Sequence, residues 1–119
     1  MEFNNNLPIY IQIMNYIKSK IVTEEIKPGD KLPSVRELSS QLKVNPNTIQ
    51  RTYSELEREG VTYTQRGMGT FVIEENNLIY NLKKNMAKDI IQKFIGDMRS
   101  IGFSNKEILE VISQFLEDK

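Results

Sequence analysis

The chain has 119 residues, with 16 Lys and Arg balanced by 16 Asp and Glu, and it contains neither cysteine nor histidine. That length suits one ordinary domain with a small appendage, and the missing residue types exclude disulfide scaffolds, Cys/His zinc sites, thiol nucleophiles and histidine acid–base chemistry. Zero net charge argues against nucleic-acid binding by bulk charge alone.

The start, Met1–Asn6, lacks a basic segment followed by an apolar run, and no apolar run approaches membrane-spanning length. The expectation is a soluble, cytoplasmic protein that is not an enzyme and has no metal site, no cofactor and no membrane association. Carboxylate pairs such as Glu74-Glu75 and Glu117-Asp118 stand without a nucleophile or metal-ligand partner and read as solvated charge.

A first helix is expected from Leu7-Pro8 to about Glu24, with Ile9, Ile13, Tyr16, Ile17 and Ile21 at helical spacing. Lys27-Pro28-Gly29-Asp30 is a turn sequence. Ser34-Val35-Arg36-Glu37 is a capping box that opens a short second helix ending near Leu42. After the link Lys43-Val44-Asn45, Asn45 is a good N-cap and Pro46 fits the first helical position, where no N–H is needed. This third helix runs to Glu59, because Gly60 suits the left-handed position that follows a helix end. Ile49, Tyr53 and Leu56 would face the core, leaving Asn47, Arg51, Ser54 and Arg58 outward, with Thr48 and Gln50 at the flanks. Such an outward stripe suits the edges and phosphates of DNA.

Local charge favours the same place. From Lys27 to Tyr53 the basic residues Lys27, Lys31, Arg36, Lys43 and Arg51 face only Asp30 and Glu37. A solvated surface is the competing reading of such a run, so charge alone does not decide. After Gly60 the pattern becomes extended: Val61–Gln65 and Thr70–Ile73 are rich in β-branched and aromatic residues, joined by Arg66-Gly67-Met68-Gly69. Three helices and a hairpin in this order make a winged helix-turn-helix. The hairpin is either a plain ribbon over the core or a wing whose Arg66 and glycines approach a phosphate.

From Asn76 the pattern is helical again. Leu82, Met86, Ile90, Phe94 and Met98 lie on one row, Gly102 ends it, and Ser104-Asn105-Lys106-Glu107 is a second capping box before Ile108, Ile112 and Phe115. The spacing is nearer the straight-helix period than a heptad, so a broad buried face is expected and not a simple zipper. These eight apolar residues form the expected dimerisation set, since two wide apolar faces exceed what a small winged domain covers. Folding of the tail back on its own domain is the alternative. The fold class is therefore mainly α with a small β-hairpin: a winged helix-turn-helix domain over residues 1–74 and a two-helix dimerisation or effector tail over 75–119.

Four ordered motifs carry a family resemblance: Leu7-Pro8-Ile9-Tyr10-Ile11-Gln12-Ile13, Pro28-Gly29-Asp30-Lys31-Leu32-Pro33-Ser34-Val35-Arg36-Glu37-Leu38, Tyr53-Ser54-Glu55-Leu56-Glu57 with Gly60, and Gly67-Met68-Gly69-Thr70-Phe71-Val72. Together they resemble the DNA-binding domain of the GntR family of bacterial transcription regulators. The short tail and Val44-Asn45-Pro46-Asn47-Thr48 resemble its YtrA group. The resemblance implies that Arg36 reaches DNA from the second helix, that Asn47, Thr48 and Gln50 meet bases and phosphates, and that Gly67 sits at the wing tip beside Arg66. With Ser34, Asn45, Arg51 and Gly69 these complete the expected DNA-binding set. Many members carry arginine where this chain has Pro46 and Gln50, so base preference must be its own. Asn and Gln favour adenine through bidentate contacts, which leads to an expectation of adenine-containing half-sites.

The expected partners are double-stranded operator DNA and a second copy of the chain, acting as a repressor on a near-palindromic site. A small-molecule effector is an open possibility that the residues do not identify. The alternative function is a winged-helix protein-interaction adaptor without specific DNA binding, for which binding would be insensitive to salt.

Overall fold

The computed structural model describes residues Met1–Asp118. Its order is α1 (Ile9–Val22), α2 (Val35–Leu42), α3 (Pro46–Arg58), β1 (Thr62–Gln65), β2 (Gly69–Val72), α4 (Leu78–Ser100) and α5 (Asn105–Glu117). The chain divides into two compact units, with the boundary inside α4 after Leu82.

α1 is shorter than its apolar spacing suggests. Pro8 stays extended (ψ 145°) as the N-cap, its carbonyl accepting from the N–H groups of Ile11 and Gln12, and Glu24 takes a left-handed φ of 63° just beyond the other end. The buried side chain of Gln12 ties down the preceding segment, accepting from the Asn4 N–H and donating to the carbonyls of Asn4 and Leu7. A buried amide satisfied in this way fixes a chain end that would otherwise fray.

Ile13, Met14, Ile17 and Ile21 of α1 meet Leu38 of α2 and Ile49, Tyr53 and Leu56 of α3 in one apolar core, closed by Leu32, Val61 and Val72. Thr52 joins that inward face by donating from its hydroxyl to the Thr48 carbonyl at 2.9 Å, so a fully buried polar side chain is satisfied within its own helix.

β1 and β2 pair antiparallel in the register Thr62↔Val72, Tyr63↔Phe71, Thr64↔Thr70 and Gln65↔Gly69. A third segment adds to β2. The N–H of Leu32 donates to the Thr70 carbonyl at 2.8 Å, that of Val72 to Asp30 and that of Gly29 to Val72, with Lys31 bridged to Phe71. The proline- and glycine-rich composition of 28–33 disguises this pairing.

The first turn of α4 belongs to the winged unit, because Leu78 and Leu82 enter its core. The compact unit thus extends past the expected boundary at residue 74. Leu82 is also a correction to the dimerisation set: it is only 7% exposed and packs in the first unit's core, so it is not a free association surface.

In the second unit, Gly102 adopts φ 96° and the Phe103 N–H returns to the Met98 carbonyl, ending α4. The Ser104 capping box then starts α5, its hydroxyl accepting from the Glu107 N–H while the Glu107 carboxylate accepts from the Ser104 N–H. Arg99 holds the turn by donating to the Asn105 side-chain oxygen. Ile108 is buried, whereas Ile90 and Phe115 are 67% and 68% exposed, Phe94 is exposed, and Met86, Met98 and Ile112 are half-buried. An apolar groove of about 430 Å³ runs past Ile91, Phe94, Ile95, Ile108, Leu109 and Ile112.

Candidate nucleic-acid interface

The helix-turn-helix is built from local chemistry at both of its starts. Ser34 accepts from the Glu37 N–H at 3.0 Å, and the Glu37 carboxylate accepts from the Ser34 N–H at 2.9 Å. Those hydrogen bonds stabilise the carboxylate and hold the Glu37 pKa below its ordinary value of 4.5. Asn45 caps α3 by accepting from the Asn47 N–H at 2.7 Å, with Pro46 behind it. Ser34 and Asn45 therefore use a side-chain acceptor for capping, which leaves the Ser34 O–H and the Asn45 amide as donors.

Between α2 and α3 the chain turns within three residues. Lys43 takes a left-handed conformation (φ 57°, ψ 48°) and returns its N–H to the Ser39 carbonyl. The Ser39 hydroxyl donates to the Val44 carbonyl, and the Val44 N–H donates back to Ser39. The conformation is one that glycine or asparagine adopts with least strain, so the sequence carried no signal of it.

With the turn fixed, α3 presents its polar side. Ile49, Thr52, Tyr53 and Leu56 are buried, while Asn47, Gln50, Arg51, Ser54 and Arg58 are exposed and Thr48 is half-buried. The buried Tyr53 ring sends its hydroxyl to the Pro33 carbonyl, so the residue preceding the Ser34 cap is tied to α3. Arg36 is exposed on the first turn of α2. Among the described residues the ion pairs are Lys18–Glu59, Arg58–Glu55 and Lys93–Asp97, so Arg36, Arg51 and Arg66 have no carboxylate partner. The Arg51 guanidinium instead lies over the Tyr10 ring, 3.9 Å from its centroid.

The hairpin forms a second exposed projection. The Met68 N–H donates to the Gln65 carbonyl, and Gly67 (φ 78°) and Gly69 (φ 121°) take backbone angles that L side chains rarely adopt. Arg66, Gly67 and Met68 are exposed at the tip, and Tyr63 and Phe71 stack as a directly opposed pair at 5.6 Å beneath it. A Cβ on Gly69 would come within 2.8 Å of the Lys31 Cε, which shows how near this lysine lies to the wing. Lys31 and Tyr10 were both absent from the expected site. The sequence signals for Lys31 were the local basic excess and its place in the second motif, and for Tyr10 its place in the first.

This arrangement offers hydrogen-bond donors and acceptors on one helix, free guanidinium groups beside it and a narrow glycine-tipped loop. Those are the parts needed to reach base edges and phosphates of a duplex. The signature of the gntR family of bacterial regulatory proteins matches residues 9–72. Over 98% of its length the chain is 47% identical to the uncharacterized HTH-type transcriptional regulator YhcF of Bacillus subtilis, covering 96% of that protein. It is 38% identical to the HTH-type transcriptional repressor YtrA of Bacillus subtilis, over 96% of this chain and 88% of that protein. The fold is similar to a solved GntR family transcriptional regulator from Listeria monocytogenes, with a TM-score of 0.83, 42% identity and coverage of 94% of this chain and 98% of that one. By sequence signature, by full-length relatives and by fold, the chain belongs to the gntR family of bacterial regulatory proteins, in its YtrA-like group, and is a DNA-binding transcriptional regulator and not an enzyme.

Proposed function

We propose that the protein is a cytoplasmic homodimeric repressor that recognises a near-palindromic operator through α3 and the wing. The observation that carries this reading is the division of α3: four residues are buried in the core, and the opposite side presents Asn47, Gln50 and Arg51 to solvent. Ser34, Arg36, Asn45 and Thr48 extend that surface from the helix starts, and Arg66, Gly67 and Gly69 add the wing. The repressor named among the relatives supports the direction of control. The shared regulatory role of the relatives does not favour the adaptor reading.

The dimer is supported by the tail's exposed apolar side chains. Of the expected set, Ile90, Phe94 and Phe115 are exposed and Met86, Met98 and Ile112 half-buried, with Ile91, Ile101, Leu109 and Leu116 exposed as well. Ile108, at 4%, is buried and like Leu82 is not part of a free surface. A twofold dimer presents its two copies of α3 to successive major grooves, about 34–36 Å apart. Selection of bound sequences from random duplexes, with sedimentation of the protein and its complex, tests both parts. A twofold-symmetric site holding two chains is expected. A monomer bound to an asymmetric site would refute the dimeric scheme.

A further inference from the structure

Among the free cations beside α3, Arg51 is held by an aromatic ring. Tyr10, in the first turn of α1, places its ring face 3.9 Å from the guanidinium. The negative face of a π-system attracts a cation, and stacking occupies only the flat side of the guanidinium. Arg51 is exposed, and among the described residues no hydrogen bond or ion pair takes up its N–H donors, the part that grips an oxyanion in a fork.

Tyr10 is itself fixed. It is half-buried against the core, and its carbonyl lies 3.5 Å from the hydroxyl oxygen of Thr52, the residue next to Arg51 in sequence, whose proton goes to Thr48. Ile9, Tyr10, Asn47, Thr48 and Arg51 line one shallow depression of about 300 Å³ between the starts of α1 and α3. An arginine free in solvent loses rotamer freedom when it binds, and one already laid on a ring loses less.

We propose that Tyr10 is a positioning residue that holds the Arg51 guanidinium ready to clamp a DNA backbone phosphate at the flank of α3. The inference rests on the DNA-binding reading above. A phosphate is favoured over a base edge because the stack draws Arg51 toward α1, while Asn47, Gln50 and Ser54 remain on the outward side of α3.

The test is a fluorescence-anisotropy titration of the full chain on its selected duplex over a salt series. The proteins are the wild type, Tyr10→Phe, Tyr10→Leu, Arg51→Ala and the Tyr10→Leu/Arg51→Ala double variant, with thermal melts of each. Tyr10→Leu should weaken binding about two- to fivefold, the range of an exposed cation–π contact, and Tyr10→Phe should restore it. Arg51→Ala should make the salt dependence shallower by about one, weaken binding evenly across operator variants, and abolish the effect of Tyr10→Leu. Structural damage alone would persist in the Arg51→Ala background, so an undiminished Tyr10→Leu loss there overturns the proposal. So does equal loss from Tyr10→Phe, which would make the hydroxyl the contact, or a loss confined to one base step. Wild-type binding with a neutral Tyr10→Leu sinks only this role, whereas a wild type that binds no duplex sinks the DNA-binding reading as well.

Discussion

The Tyr53 hydroxyl donates a 2.6 Å hydrogen bond to the Pro33 carbonyl, joining α3 to the residue just before the α2 cap. Removing it by Tyr53→Phe leaves a carbonyl short of a partner and should cost about 0.5–1.5 kcal/mol in urea unfolding. Burial, and secondarily the nearby Glu37 carboxylate, push the phenol well above its ordinary value of 10.0. A raised folded-state value means that stability is complete below the unfolded value and declines as pH rises past 10.0. Tyr53→Phe should therefore flatten the alkaline limb of the stability profile.

Arg36 is exposed without an ion-pair partner among the described residues. Arg36→Ala should leave the melting curve unchanged, weaken operator binding and reduce the salt dependence by about one if the contact is a phosphate. Titration over a salt series checks it, and unchanged affinity would remove Arg36 from the site.

Lys43 holds a left-handed conformation in the α2–α3 turn. Lys43→Gly relieves steric strain while adding freedom to the unfolded chain, and the balance should favour the folded state by about 0.5–1 kcal/mol. A higher urea midpoint at unchanged slope is the expected result.

Thr62 is buried in β1, and its hydroxyl oxygen has no hydrogen-bond partner among the described residues. Thr62→Val keeps the branched shape and removes the stranded polar atom, so stability should rise by about 1 kcal/mol. A loss of stability would mean that the hydroxyl is satisfied in solution.

The Glu37 pKa is lowered first by the Ser34 backbone N–H and then by the Ser34 side chain, and Glu107 is lowered in the same way by Ser104. A depressed folded-state value contributes stability above the unfolded value of 4.5 that is lost as pH falls through the folded one. Glu37→Gln keeps a capping acceptor but does not titrate, so its acid limb should be shallower than the wild type's. Melting temperatures measured across the acid range test this.

The sequence by itself determined the parts governed by neighbours within about one helical turn. Both capping boxes, the Asn45-Pro46 start, the inward placement of Ile49, Tyr53 and Leu56, and the glycine-tipped hairpin follow from such local chemistry. The outward face of α3 was legible for the same reason. Tertiary structure decided what depends on residues far apart in the chain. Only packing could bring Lys31 beside Gly69, lay Leu78 and Leu82 into the winged core, or stack Arg51 on Tyr10. The left-handed Lys43 is held by local hydrogen bonds among Ser39, Lys43 and Val44, but its own side chain disfavours the conformation, so its residue type gave no sign of it. Local periodicity specifies which side of a helix is apolar, whereas the partner that covers it, and the ring that steadies a cation on its other side, are set by the close packing of the whole core.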